Sequence, residues 1–180
     1  MRILVAEDEE DIKNIYYTSL IERGHTVILT SDGEECLMVY RQKLQEHQEL
    51  HHDEEKASSL PYPDVVILDY KMPKKDGLQA AKEILDINPD QRIIFASAYI
   101  IETLTESVKQ LKKIVELMQK PFSMSALVDT VENREAYEGL KSLMTTARDI
   151  IKDSDNNNPS SDQIRELFEG LRKVQKFRGF

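Results

Sequence analysis

Asp64-Val65-Val66-Ile67-Leu68-Asp69-Tyr70-Lys71-Met72-Pro73-Lys74-Lys75-Asp76-Gly77 is the stretch that decides the fold. Val65 to Leu68 are consecutive apolar residues, three of them β-branched, as expected of a strand buried on both faces in a parallel sheet. Asp69 follows where such a strand must emerge, and Pro73 with Asp76-Gly77 supplies a turn beyond it. Open α/β sheets bind ligands at the carboxyl ends of their strands, which puts Asp69 at the edge of a site. Read alone, an acid here is equally a cap for the helix that follows.

Toward the N-terminus, Arg2 to Ala6 is a short apolar strand, followed by the acidic run Glu7-Asp8-Glu9-Glu10-Asp11. Ile12, Ile15, Tyr16 and Leu20 then recur at helical spacing, and part of the acidic run suits the positive end of that helix. Gly24 stops it, Thr26 to Thr30 forms a second strand, and Ser31-Asp32-Gly33 opens a second helix. That helix carries Cys36, Leu37, Val39, Tyr40 and Leu44 and runs on into residues 45–55. His47 and His51 are four apart, a spacing that would let both ligate a metal from one helical face. No cysteine accompanies them, and the neighbouring charges fit a solvated helix end better. Ala57 to Pro63 reads as a loop.

Toward the C-terminus, Leu78, Ala81, Ile84 and Leu85 mark a third helix that ends near Asn88-Pro89. Arg92 to Ala96 is a fourth strand, and Ile101, Leu104, Val108 and Leu111 mark the helix after it. Ile114 to Met118 makes a fifth strand, closed by Lys120-Pro121. Strands alternating with helices imply parallel βαβ units. The expected class is α/β, a doubly wound five-stranded parallel sheet with a C-terminal helical extension.

Four separate pieces resemble the receiver domain of two-component response regulators. They are Ile3-Leu4-Val5-Ala6-Glu7-Asp8, Asp69 with Met72-Pro73 and Asp76-Gly77, Phe95-Ala96-Ser97-Ala98, and Lys120-Pro121-Phe122. The resemblance implies a flavodoxin-like strand order 2-1-3-4-5, with a receiver over residues 1–130 and a helical extension over 131–180. It makes Asp69 the phosphoryl acceptor for a sensor histidine kinase. Mg²⁺ would be held by Glu7, Asp8, Asp69 and the backbone carbonyl of Lys71; converging carboxylates repel one another, and a hard divalent cation relieves this. Lys120 would offset charge on the transferring group. Ser97 would be the switch hydroxyl that donates to a phosphoryl oxygen.

Two further positions follow from the resemblance. Lys71 and Tyr99, each two residues beyond the acceptor and the switch serine, govern water access in this family. Both are bulky, so self-dephosphorylation is expected to be slow. The departure from the pattern is Leu117, three residues before the lysine, where the family carries an aromatic. Leucine cannot swing a phenol or an imidazole between buried and exposed states, so coupling out of the site is expected to be weaker or to use other groups.

Ser123 is expected to cap a long helix whose Tyr137, Leu140, Met144, Ala147 and Ile151 form a coiled-coil-like seam. A polar loop, Asp153 to Ser161, leads to a second helix with Ile164, Leu167, Phe168, Leu171 and Val174, ending in the basic stretch Arg172 to Arg178. Two amphipathic helices must bury their stripes, either as an αα-hairpin on their own domain or in a homodimer. The face formed by strand five and the helix before it is the other surface expected to self-associate.

Composition narrows the function. A net charge of −9 counts against a broad nucleic-acid surface, although a DNA-binding transcriptional regulator using the C-terminal helices is the alternative reading. The tail is short for a winged-helix output domain and holds no histidine, which excludes a phosphotransfer role for it. Phosphohydrolases with an aspartyl-phosphate intermediate carry Asp-x-Asp after an early strand, whereas this chain has Glu7-Asp8-Glu9. The single cysteine, Cys36, excludes an internal disulfide and a Cys-rich zinc site. No apolar run reaches membrane-spanning length and no signal peptide is legible, so a cytoplasmic protein is expected. Its expected output is phosphorylation-dependent contact with a downstream protein, not enzymatic turnover.

Overall fold

A computed structural model of the chain describes residues 1–50, 63–98, 111, 113 and 115–153, with the side chains of 48–50 and 147–153 excepted. The elements in order are β1 (Arg2–Ala6), α1 (Glu10–Glu22), β2 (Thr26–Thr30), α2 (Gly33–Leu50) and β3 (Val65–Leu68). They continue as α3 (Gly77–Ile87), β4 (Ile93–Ser97), β5 (Glu116–Gln119), α4 (Met124–Glu132) and α5 (Arg134–Asp153).

The β3 residues are buried throughout, as a continuous apolar run demands of a central strand. β3 pairs in parallel with β1 on one side and β4 on the other, and the whole sheet has the order β2-β1-β3-β4-β5. Successive side chains alternate between faces. Leu4, Ala6, Val66, Leu68, Ile93 and Phe95 form one core layer with Cys36, Leu37 and Tyr40 of α2 and Ala81, Ile84 and Leu85 of α3. Their neighbours Ile3, Val5, Val65, Ile67 and Ile94 are buried too, so water reaches neither face of the central strands. Arg92 grips Glu116 with two hydrogen bonds of 2.7 and 3.0 Å, which holds β5 in register with β4.

Local chemistry explains the helix ends. Gly24, at φ +80, closes α1 in the left-handed region, and its N–H donates to the Ile21 carbonyl. Asp32 caps α2, with Oδ1 accepting from the N–H groups of Glu34 and Glu35 at 2.9 and 2.8 Å. Asp76 and Gln79 form a reciprocal capping box on α3.

Several expectations are corrected. Ile15 is not a core residue: it is 49% exposed, and Lys13 takes the inward position with Tyr16 and Leu20. Lys13 is tolerated there because its ammonium donates to Glu10 at 2.6 Å and Ser31 at 2.7 Å while its stem is buried. The helix capped by Ser123 does not run unbroken. It stops at Glu132, and Asn133 caps a new helix by accepting from the Ala136 N–H at 3.0 Å. The observed fifth strand is Glu116–Gln119, with Ile114 outside the described residues.

In the expected seam, Tyr137 is buried but Met144 is 42% exposed; the side chains of Ala147 and Ile151 lie outside the described residues. The helix through Ile101, Leu104 and Val108, the polar loop beyond Asp153, the second tail helix and its basic end also lie outside them, as do Tyr99 and His51. His47 lies in α2, half-buried. The chain divides into two compact units, Met1–Val128 and Asp129–Phe180, with the division falling inside α4.

Candidate functional site

Parallel pairing carries the ends of β1, β3, β4 and β5 to one edge of the sheet. Asp69 donates its N–H to the Ala6 carbonyl at 2.9 Å, and Glu7 donates to Thr30 at 3.1 Å, so both acids leave the sheet at the same level. The Lys120 N–H donates to the Ser97 carbonyl at 2.7 Å, which brings the end of β5 to the end of β4. The Lys120–Pro121 peptide bond is cis.

The side chains converge accordingly. Carboxylate oxygens of Glu7, Asp8 and Asp69 lie within 4.8 Å of one another. Lys120 Nζ donates to Glu7 Oε2 at 2.6 Å and to Asp69 Oδ2 at 3.4 Å, so it sits chiefly with Glu7. Glu7 is fully buried, Asp69 nearly so, and Asp8 is exposed. Burial pushes the Glu7 carboxyl up from the ordinary glutamate range against the pull of Lys120, and the nearby charge of Asp69 adds to the rise. Burial likewise raises Asp69, with Lys120 and the N–H groups of Tyr70 and Lys71 opposing it. Both acids therefore hold their charge at a cost. Glu7 Oε1 is buried with no hydrogen-bond partner among the described residues.

Ser97 ends β4 fully buried beside the Lys120 backbone, and Lys71 is exposed in the loop after Asp69. Leu117 packs half-buried against the core layer.

The loop between β3 and α3 is held from both sides. The Gly77 N–H donates to the Tyr70 carbonyl at 3.0 Å, and a Cβ on Gly77 would overlap the carbonyl oxygen of Asp69. Gly77→Ala is therefore expected to push the end of β3 at Asp69 out of place and to cost about 1–3 kcal/mol of stability, measured by urea denaturation. On the other side, Lys74 Nζ donates to Asp32 Oδ2 at 2.6 Å, and the Gly33 N–H donates to the Lys75 carbonyl at 3.0 Å. Sequence reading misses this clamp, because its partners are ordinary turn residues until the fold brings them together.

The model of the response regulator receiver domain matches residues 3–132. The chain belongs to that family. The transcriptional regulatory protein PdtaR of Mycobacterium tuberculosis is 34% identical over 134 residues, covering 73% of this chain and 55% of PdtaR. The alkaline phosphatase synthesis transcriptional regulatory protein PhoP of Bacillus subtilis is 28% identical over 94% of this chain and 56% of PhoP. The chain thus spans a little over half the length of these relatives. Among solved structures, the response regulator protein TrrA of Thermotoga maritima, in complex with Mg(2+)-BeF, is 30% identical with a TM-score of 0.53. That match covers 73% of this chain and 96% of TrrA. The fold is the five-stranded 2-1-3-4-5 receiver fold expected from the sequence. Receiver domains partner with histidine kinases and downstream effectors and generally use Mg²⁺.

Proposed function

We propose that this receiver accepts a phosphoryl group on Asp69 from a sensor histidine kinase and signals through contacts that depend on it. The observation that carries the reading is the Glu7, Asp8, Asp69 and Lys120 cluster at the carboxyl edge of the sheet. In the step proposed, an Asp69 carboxylate oxygen forms the new O–P bond as the P–N bond of a phosphohistidine breaks, and the imidazole leaves. Lys120 offers a mobile point charge close to the acceptor oxygen, and the Tyr70 and Lys71 N–H groups favour its charged form. Ser97 is assigned the switch hydroxyl.

The residues fit a divalent cation. Three carboxylates within reach of one another, one with a buried oxygen lacking a partner, form a hard-oxygen donor set. Glu7, Asp8, Asp69 and the Lys71 carbonyl would hold Mg²⁺, which when bound offsets charge on phosphoryl oxygens. Neither the lysine nor the backbone donors replace that positive charge, since Lys120 is engaged mainly by Glu7.

Intact-mass analysis after incubation with a small phosphodonor and Mg²⁺ tests the reading. The expected result is one added phosphoryl group, absent from Asp69→Asn; modification that survives that substitution overturns it. The same sample gives the lifetime. With bulky Lys71 and Tyr99 flanking the site, loss is expected to be slow, and a half-life of seconds contradicts that part.

The receiver is assigned to residues 1–130 and the helical extension to 131–180, close to the division at Val128 and Asp129. The extension, or the face around β5, is proposed to mediate homodimerisation, with output to a further protein rather than through catalysis. No described helix is long and apolar enough to cross a membrane, consistent with a cytoplasmic assignment.

The names of PdtaR and PhoP favour a second reading, transcriptional regulation through the C-terminal helices. Salt-dependent retention on duplex DNA would support it, and the net charge of −9 counts against it.

A further inference from the structure

Tyr16 lies on the inward face of α1, 2% exposed. Its ring stacks on Phe122, with centroids 6.1 Å apart and planes 17° from parallel, and Phe122 is two residues past Lys120. A ring in that place serves packing, and a phenylalanine would do as well. The hydroxyl is what needs explaining. It is buried with no hydrogen-bond partner among the described residues, whereas buried phenols ordinarily find one.

The same condition holds at Glu7 Oε1. Burial first, then the charges of Glu7, Asp69 and Glu9, keep the phenol proton on, so the oxygen remains a neutral group able both to donate and to accept. Tyr16 is stacked on Phe122, two residues past the lysine that holds Glu7 Oε2, so a donor and an acceptor, both buried and both without a partner among the described residues, adjoin the same segment. Magnesium generally keeps several waters, and such waters need partners beyond the metal ligands.

We propose that Tyr16 is a positioning residue of the cation site, its hydroxyl hydrogen-bonding a water that also binds Glu7, one of the three carboxylates that, with Asp8 and Asp69, would hold a divalent cation. The proposal rests on the cation reading above. Tyr16 touches neither the acceptor nor the phosphoryl group in this account; it acts by orienting Glu7 through that water.

The test is calorimetric titration of the full chain with Mg²⁺, comparing wild type, Tyr16→Phe and Asp8→Asn, with each variant's melting temperature taken in chelator. Tyr16→Phe keeps the ring against Phe122 and removes only the hydroxyl. Its Kd for Mg²⁺ is expected to rise about 10-fold, the lower end of the range for groups that support metal ligands, while its cation-free melting temperature stays level or rises. A role confined to packing would leave the Kd alone. If wild type binds, Asp8→Asn does not, and Tyr16→Phe binds as wild type does, the Tyr16 proposal fails and the cation reading stands. If wild type fails to bind Mg²⁺, or Asp8→Asn binds equally well, the cation reading fails and takes this proposal with it.

Discussion

Asp69→Asn is expected to abolish phosphoryl uptake and, in cation-free buffer, to make the folded protein more stable. The first effect follows because an amide offers no carboxylate nucleophile. The second follows from the site's electrostatics. The Asp69 carboxyl is raised above its ordinary value of 3.8, mainly by burial, so the charged form disfavours the folded state. The lysine that opposes this lies 3.4 Å from Asp69 and keeps its 2.6 Å bond to Glu7 when Asp69 is neutralised. Removing the charge should add about 1–2 kcal/mol at neutral pH, or about 3–6 °C in melting temperature for a chain of this size. The gain should be absent below 3.8 and grow as pH rises through the raised folded value. Thermal melts in chelator across that range check the sign. A lower melting temperature at neutral pH would mean that the Lys120–Asp69 attraction outweighs burial. On the proposed cation reading, saturating Mg²⁺ should shrink or reverse the gain, because the Asp69 carboxylate would be a ligand that an amide replaces poorly.

Lys120→Met should act in the opposite direction and more strongly. Lys120 donates to Glu7 Oε2 at 2.6 Å, the Glu9 backbone adds a weaker hydrogen bond to the same carboxylate, and Glu7 is fully buried. Removing one partner of a buried pair leaves an uncompensated charge, at a cost of about 3–5 kcal/mol. The Glu7 carboxyl is already raised by burial, with Lys120 the chief group lowering it, so the substitution raises it further. The linkage sign follows: the variant's deficit is smallest below the ordinary glutamate value of 4.5 and is fully developed once pH exceeds the new folded value. Urea denaturation at neutral and mildly acid pH should show the gap to wild type closing on acidification. A gap that does not change with pH would assign the loss to packing of the lysine stem. Phosphoryl uptake should fall as well, but the stability profile separates the role of Lys120 toward Glu7 from its role toward the acceptor.

The sheet is legible from β1 and β3 because both are short apolar runs ended by acids, and in β3 the β-branched residues and the Pro73 and Asp76-Gly77 turn beyond it favour a strand over a buried helix. The motifs name Asp69, Glu7, Asp8 and Lys120, which the structure brings together, but not their surroundings. Periodicity misjudged α1, since it scores polarity and cannot foresee that Lys13 buries its stem and finds Glu10 and Ser31. It also joined two helices across Asn133, where a side-chain cap outcompetes a continuing apolar stripe. Within the site, the burial of Glu7 and its unequal share of Lys120 depend on how the strand ends are staggered, which no spacing rule reveals. Helical spacing puts Tyr16 on the apolar face of α1, where it is buried; that its hydroxyl lacks a partner there among the described residues is a fact of three dimensions only.

The ion pair from Lys74 to Asp32 and the Gly33 bond to Lys75 tie the loop after Asp69 to the first turn of α2, and the Gly77 bond to Tyr70 closes the loop on itself. Opening the loop breaks both of these backbone bonds while the Asp32 Oδ1 cap stays made, so the Gly33 and Gly77 amides should exchange with solvent together rather than independently. The ordering entropy of the segment that carries Asp69 to Gly77 is therefore met once, when the chain folds. On the proposed reading, a phosphodonor would meet a surface already shaped, and a shift of that loop would reach α2 through Gly33 and Asp32.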